Sequence, residues 1–290
     1  MRLLVMKIGI FNGELWKKIS ATGGWVFGFL GALISFIDIE EAIRVKMLCA
    51  FVVLMIIFFL FELIKANILW KARLNVGESE IIIREGDIFS NDIYENKKLI
   101  KVFAFNEYFD TEVDDNVISH GSLNGQFIDK HVNNVLSLDK AIDSDKRLST
   151  RHKLGEDSTR ESGKKIKYEL GSIFKFSDDI FLTALTHFDS KNRAYLSIQD
   201  YIKFLVNFWD EIDELYAGKT VVITLFGSGI TRLDHDRYSA TEILDTILWT
   251  FKLRRIKFKK PTKLMILLDK DTNRQINYFL LRSRFYGLQK

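Results

Sequence analysis

One cysteine and one proline are all that 290 residues hold of those two types. The lone Cys49 excludes a disulfide within the chain, and there is no CxxC pair. The five histidines, His120, His131, His152, His187 and His235, fall in no metal-ligand spacing, which argues against structural zinc. Excess charge is scarce as well. Lys and Arg number 42 against 38 Asp and Glu, a net of +4, so composition points to no nucleic-acid partner. The sharpest lack is local: residues 19–37 carry no charge, and residues 47–64 carry only Glu62.

Each run is close to the ~20 residues that a helix needs to cross a bilayer core. A helix meets its own backbone hydrogen bonds there. The alternative, two buried core helices, would normally show a polar face. The first run also exceeds the ~7–15 apolar residues of a signal peptide. The expectation is a transmembrane region over 1–74, with spans at about 19–37 and 47–64. Lys17 and Lys18 precede the first span, while Lys65, Lys71 and Arg73 follow the second. The positive-inside bias therefore predicts a hairpin in a plasma membrane, with both termini cytoplasmic. Gly24, Gly28 and Ala32 share one face of the first span. Small residues at that spacing permit close helix approach, to the second span or to another copy of the chain.

From about Asn75 the pattern becomes a soluble α/β alternation. Strands are expected at 79–84, 99–105, 165–176, 180–188, 219–225 and 263–268. Ser197 and Ser239 open helices with capping-box spacing, and Asp269 caps a last helix with Ile276, Phe279 and Leu280 facing inward. Residues 143–165 are polar, and the expectation is a mobile insertion. Seven of the twelve residues at 252–263 are Lys or Arg, read as a solvated helix end, with lipid attraction as the alternative.

The apolar strand around Val221–Leu225 runs into LFGSGITRLDH. Gly227 and Gly229 let the backbone turn and approach a ligand, and successive amides there favour an anion. Ser228, Ile230, Thr231 and Arg232 complete the loop, with Arg232 able to add charge-assisted bonds. EGDIF places Asp87 and Ile88 after the first soluble strand. FNEYFDT places Asn106, Asp110 and Thr111 after the second, and ISHGSLNGQFI follows with Ser122, Leu123, Asn124, Gly125 and Gln126. In open α/β sheets, ligands bind at the carboxyl ends of strands. A carboxylate such as Asp87 accepts from an exocyclic amine, and Asn106 can donate to and accept from hydroxyls. The two glycine loops suit a diphosphate between them.

This set resembles the macro domain, a three-layer α/β/α fold with a mixed sheet that binds ADP-ribose, over about residues 75–290. The resemblance places adenine at Asp87, phosphates at 227–231 and the distal ribose near Asn106. The usual paired asparagines and triple glycine are replaced by NEYFDT and HGSLNGQ. With the two spans, the chain resembles the membrane-anchored macro-domain effectors of type II Thoeris anti-phage defence. That resemblance implies a histidine–ADP-ribose signal made by a TIR-domain protein, homo-oligomerisation and membrane disruption in abortive infection, with no cofactor, metal or catalysis. Two other readings stay open: a membrane-anchored ADP-ribose hydrolase using Asp110, Asp114, Asp115 or His120 as base, and a passive scaffold.

Overall fold

The computed structural model describes residues 7–36, 40–77, 79–90, 98–229, 233–235, 237–254 and 263–286. They form two compact units, one of residues 1–70 with 277–287, the other chiefly 71–276. In chain order the elements are α1 (Gly13–Ser35), α2 (Glu41–Ile68), β1 (Lys71–Val76), β2 (Ser79–Glu85), β3 (Leu99–Asn106), α3 (Leu123–His131), α4 (Val135–Asp143), β4 (Lys153–Glu156), β5 (Ile166–Tyr168), β6 (Ile173–Lys175), β7 (Ile180–Phe188), β8 (Ala194–Tyr195), α5 (Ile198–Leu215), β9 (Thr220–Thr224), α6 (Ala240–Arg254), β10 (Lys263–Leu268), α7 (Lys270–Gln275) and α8 (Tyr278–Tyr286).

The first unit packs α1, α2 and α8 around Ile8, Leu15, Ile19 and Ala66. Lys18 donates to the buried Glu62 at 2.5 Å, which joins α1 to α2. Buried Asn67 pairs with both backbone groups of Ile8. One described helix, α2, is long and apolar enough to cross a membrane. Its most apolar stretch is almost wholly unburied, unlike a core helix. By that measure the expected pair of spans has one member among the described residues. Gly23, not Gly24, lies against α2, where an added Cβ would stand 2.7 Å from Met55. Gly24 and Gly28 face open space.

The second unit is built on a mixed sheet in the order β1-β2-β10-β9-β3-β7-β6, with β8 paired to β7. The five central strands, β2, β10, β9, β3 and β7, run parallel. Phe103, Phe105, Leu182, Ala184, Val222, Met265 and Leu267 pack with α3 and α4 through Phe127, Ile128, Leu138 and Ile142. The alternate residues Val102, Val221, Ile223, Leu264 and Ile266 are equally buried. With side chains alternating across a strand, the sheet is covered on both faces. Helices α5 and α6 pack together, with Trp209 edge-on to Phe251 and donating to Thr250.

Several expectations change here. The 165–176 strand is two strands, β5 and β6, parted at Gly171. Gly171 has φ 92°, and a Cβ there would meet the backbone of Phe204 and Phe208 at 2.7 Å. The polar stretch 143–165 is folded: a π-helical turn at Leu148–His152 leads into a β4–β5 hairpin. It is held by long-range ion pairs that composition does not show, including Arg147 with Glu211 and Arg160 with Asp110. Strand β1 was not expected, and it starts four residues before Asn75. Asp269 does cap a helix, accepting from Asp271 and Thr272, but that helix ends at Gln275. Phe279 lies in α8, whose cap Asn277 accepts from Leu280, and packs in the first unit.

Candidate ligand-binding crevice

A cavity of about 990 Å³ opens at the carboxyl ends of all five parallel strands. Ligand cavities of roughly 300–1,000 Å³ suit small organic molecules. Its lining takes Gly86, Asp87 and Ile88 after β2, Asp269 and Lys270 after β10, and 225–229 after β9. Asn106 and residues 115–119 come from the β3 side, with Ser122, Leu123 and Asn124 at the start of α3, while Phe188 ends β7 and Asn192 with Arg193 follow it.

The glycine loop is supported from below. The Tyr201 hydroxyl donates to Phe226 O at 2.7 Å, and its ring lies under Gly227. Burial pushes the Tyr201 phenol well above its usual range, so it stays a donor. Gly227 has φ 87°, which favours glycine, whereas Gly229 has no such constraint. Ser228 folds back with both its amide and hydroxyl on Leu225 O. Asp234 accepts from Ile198 and so caps α5 from the end of the same segment. Ile230, Thr231 and Arg232 lie outside the described residues.

Opposite stands the mouth of α3. Ser122 Oγ accepts from Gly125 N and donates to Ser119 O. The first amides of a helix have no acceptor within it, and Leu123 and Asn124 both line the cavity. Asn124 is 8% exposed, and its Oδ1 meets no hydrogen-bond partner among the described residues. Gly125 and Gln126 do not line the cavity. Gly125 sits so close to Ser119 O that a Cβ would come within 2.3 Å, and Gln126 donates to Gly121 O. They shape the loop that α3 grows from.

Of FNEYFDT, Phe105 and Asn106 reach the lining, and the Asn106 amide is largely committed. Oδ1 accepts from Tyr108 N and Asp110 N, and Nδ2 donates to Asp110. Asp110 is 1% exposed in an ion pair with Arg160 and also accepts from Lys164 N. Thr111 donates to Asp139 at 2.7 Å. Asp87 Oδ1 accepts from Phe89 N, a turn that holds the carboxylate exposed at the cavity edge.

Sequence reasoning missed Glu107, Arg160 and Tyr201. Glu107 is fully buried and holds His187 Nδ1 at 2.7 Å and Lys167 Nζ at 3.0 Å, which fixes the end of β7 beside β3. A charge inside the apolar FNEYF was the available signal. Among the described residues no group of acidic, histidine or cysteine side chains could hold a metal ion.

The family described as Thoeris protein ThsA, Macro domain, matches residues 81–269. The Thoeris protein ThsA of Bacillus amyloliquefaciens (strain Y2) is 38% identical over 255 residues, 87% of this chain and 84% of that protein. Among solved structures, the Oceanobacillus iheyensis macrodomain with ADP has a TM-score of 0.48 at 12% identity, covering 76% of this chain and 97% of its own. The same macrodomain with MES bound gives a TM-score of 0.47 at 12% identity over 76% of this chain and 97% of its own. The chain belongs to the Thoeris ThsA macro-domain family.

Proposed function

We propose that the crevice receives an ADP-ribose derivative, the histidine conjugate implied by the Thoeris resemblance, made by a TIR-domain partner. Binding then drives self-association of the chain and disruption of the bacterial plasma membrane in abortive infection. The observation that carries this reading is the pairing of the Gly227 loop with the α3 mouth across one cavity, with Asp87 at its rim. A diphosphate between a glycine loop and a helix N-terminus gains amide donors and a favourable dipole. Adenine at Asp87 then lies on the β2 side, and the distal ribose toward β3 and β7.

In this proposal α1 and α2 form the membrane hairpin and the second unit faces the cytoplasm. The unburied apolar surface of α2 supports the membrane part. The open Gly24 and Gly28 face suits contact with another copy. A ligand acts here only through different affinity for two states of the assembly.

Binding without turnover is the favoured reading, because the candidate bases are engaged elsewhere. Asp110 is locked to Arg160. The Val117 amide, with the amides beside it, holds the Asp114 carboxyl below the usual range, which weakens it as a base. Asp115 accepts from His120 N, and His120 pairs with Asp129. Purified chain in dye-loaded vesicles tests the proposal. The expected result is leakage at saturating histidine–ADP-ribose that Asp87→Ala removes. Intact vesicles at saturation, or steady product release, contradict it.

A further inference from the structure

We propose that Arg160, in the polar insertion, is a positioning residue that sets the β3–β7 end of the crevice and thereby selects ligands extending beyond the diphosphate. This rests on the nucleotide reading above. The five strand ends that form the crevice span four spacings of ~4.8 Å, roughly 19 Å in all. Asp87 lies at the β2 end and Asn192 with Arg193 at the β7 end. A nucleoside diphosphate placed from Asp87 to the Gly227 loop and the α3 mouth leaves the β7 end for whatever group follows.

Arg160 does not touch the cavity. Its side chain is 1% exposed and spends its fork on two loops that do wall it. Nη1 donates to Asp110 Oδ1 at 3.0 Å and Nη2 to Asp110 Oδ2 at 2.5 Å. Nε and Nη2 donate to Asn192 Oδ1 at 3.1 and 2.7 Å. Nη1 also meets Lys164 O, which closes the insertion on itself. Asp110 in turn holds the amide of the cavity residue Asn106, so one guanidinium ties the loops after β3 and β7 together. The guanidinium lies 4.1 Å over the Tyr108 ring and 5.7 Å from that of Phe188, another cavity residue. Asn192 Nδ2 donates to Ser162 Oγ at 2.8 Å, again in the insertion.

Two local features show that the insertion is built around this staple. Gly163 has φ 84°, and a Cβ there would stand 2.7 Å from Asp110 and 2.9 Å from Arg160. Asn192 itself has φ 56°, a conformation that asparagine tolerates and that puts its amide on Arg160. A planar fork serves this role where a lysine point charge does not.

Calorimetry on the full chain in lipid nanodiscs, with ADP and ADP-ribose as probes, tests the assignment. The variants are the neutral pair Arg160→Gln with Asp110→Asn, and Arg160→Lys, which keeps the charge while removing the fork. The expected result is ADP-ribose affinity lower by about tenfold or more, with ADP affinity held within about twofold, because only the longer ligand meets the displaced wall. A merely structural role would weaken both ligands together. Parallel loss, or no loss for either, overturns the proposal. Equal affinity of the wild-type chain for ADP and ADP-ribose also overturns it while leaving the nucleotide crevice in place. Binding of neither probe by the wild-type chain overturns the nucleotide reading and this inference with it. Should the double variant not fold, Arg160→Lys alone decides.

Discussion

At Gly227 the backbone needs φ 87°, and the Tyr201 ring lies 3.4 Å from where a Cβ would stand. Gly227→Val puts a β-branched residue in that conformation, a strain of about 1–3 kcal/mol. The expected outcome is ADP-ribose affinity reduced by about tenfold or more, since 1.4 kcal/mol is one factor of ten. Gly229→Ala, with open space and no left-handed backbone, should bind within about threefold of wild type, and paired titrations check both. Tyr201→Phe removes a buried donor from Phe226 O, destabilising the fold by about 1–3 kcal/mol in urea unfolding. Asp87 and Gly227 were legible because each belongs to a local pattern, a turn acid and a glycine after an apolar run. Glu107 and Arg160 were not, because the partners that give them meaning are 80 and 50 residues away in sequence. Asn106 shows the limit from the other side. Its type suited hydroxyl recognition, but three hydrogen bonds within its own loop use most of its capacity.

The five parallel strands were readable as elements, since buried parallel strands are short continuous apolar runs. The helix starts at Ser197 and Ser239 were readable too, because a cap and its partner lie three residues apart. The insertion was misjudged for the opposite reason. It buries little apolar surface and is ordered by ion pairs to α5 and to the β3 loop. Breaking one partner of a buried pair costs about 3–5 kcal/mol. Arg160→Ala should therefore destabilise the chain more than Arg151→Ala, whose partner Glu214 is exposed, as unfolding midpoints will show. At the α3 mouth, the Asp129 hydrogen bond holds His120 above the usual histidine range. Because that value is raised, the contact is fully present below about pH 6.5 and is lost as pH rises through the folded value. Asp129→Asn should lower the His120 titration midpoint in NMR, and an unchanged midpoint would remove Asp129 as its cause.

For the molecule as a whole, chain order and spatial grouping differ. Residues 277–286 follow the last strand yet pack with α1 and α2, a grouping no local pattern announces. The apolar run of α2 was plain in the sequence, and its lack of burial fits the membrane role proposed for it. If the crevice binds a nucleotide in the folded state alone, ligand at a hundred times its Kd adds about 2.7 kcal/mol to stability. Histidine–ADP-ribose should then raise the Tm of the full chain, and Asp87→Ala should abolish the rise. The most direct measurement is calorimetric titration of the full chain in nanodiscs with ADP-ribose and its histidine conjugate. The account predicts saturable one-to-one binding, tighter for the conjugate, without product formation. No heat of binding from either compound would contradict it at its centre.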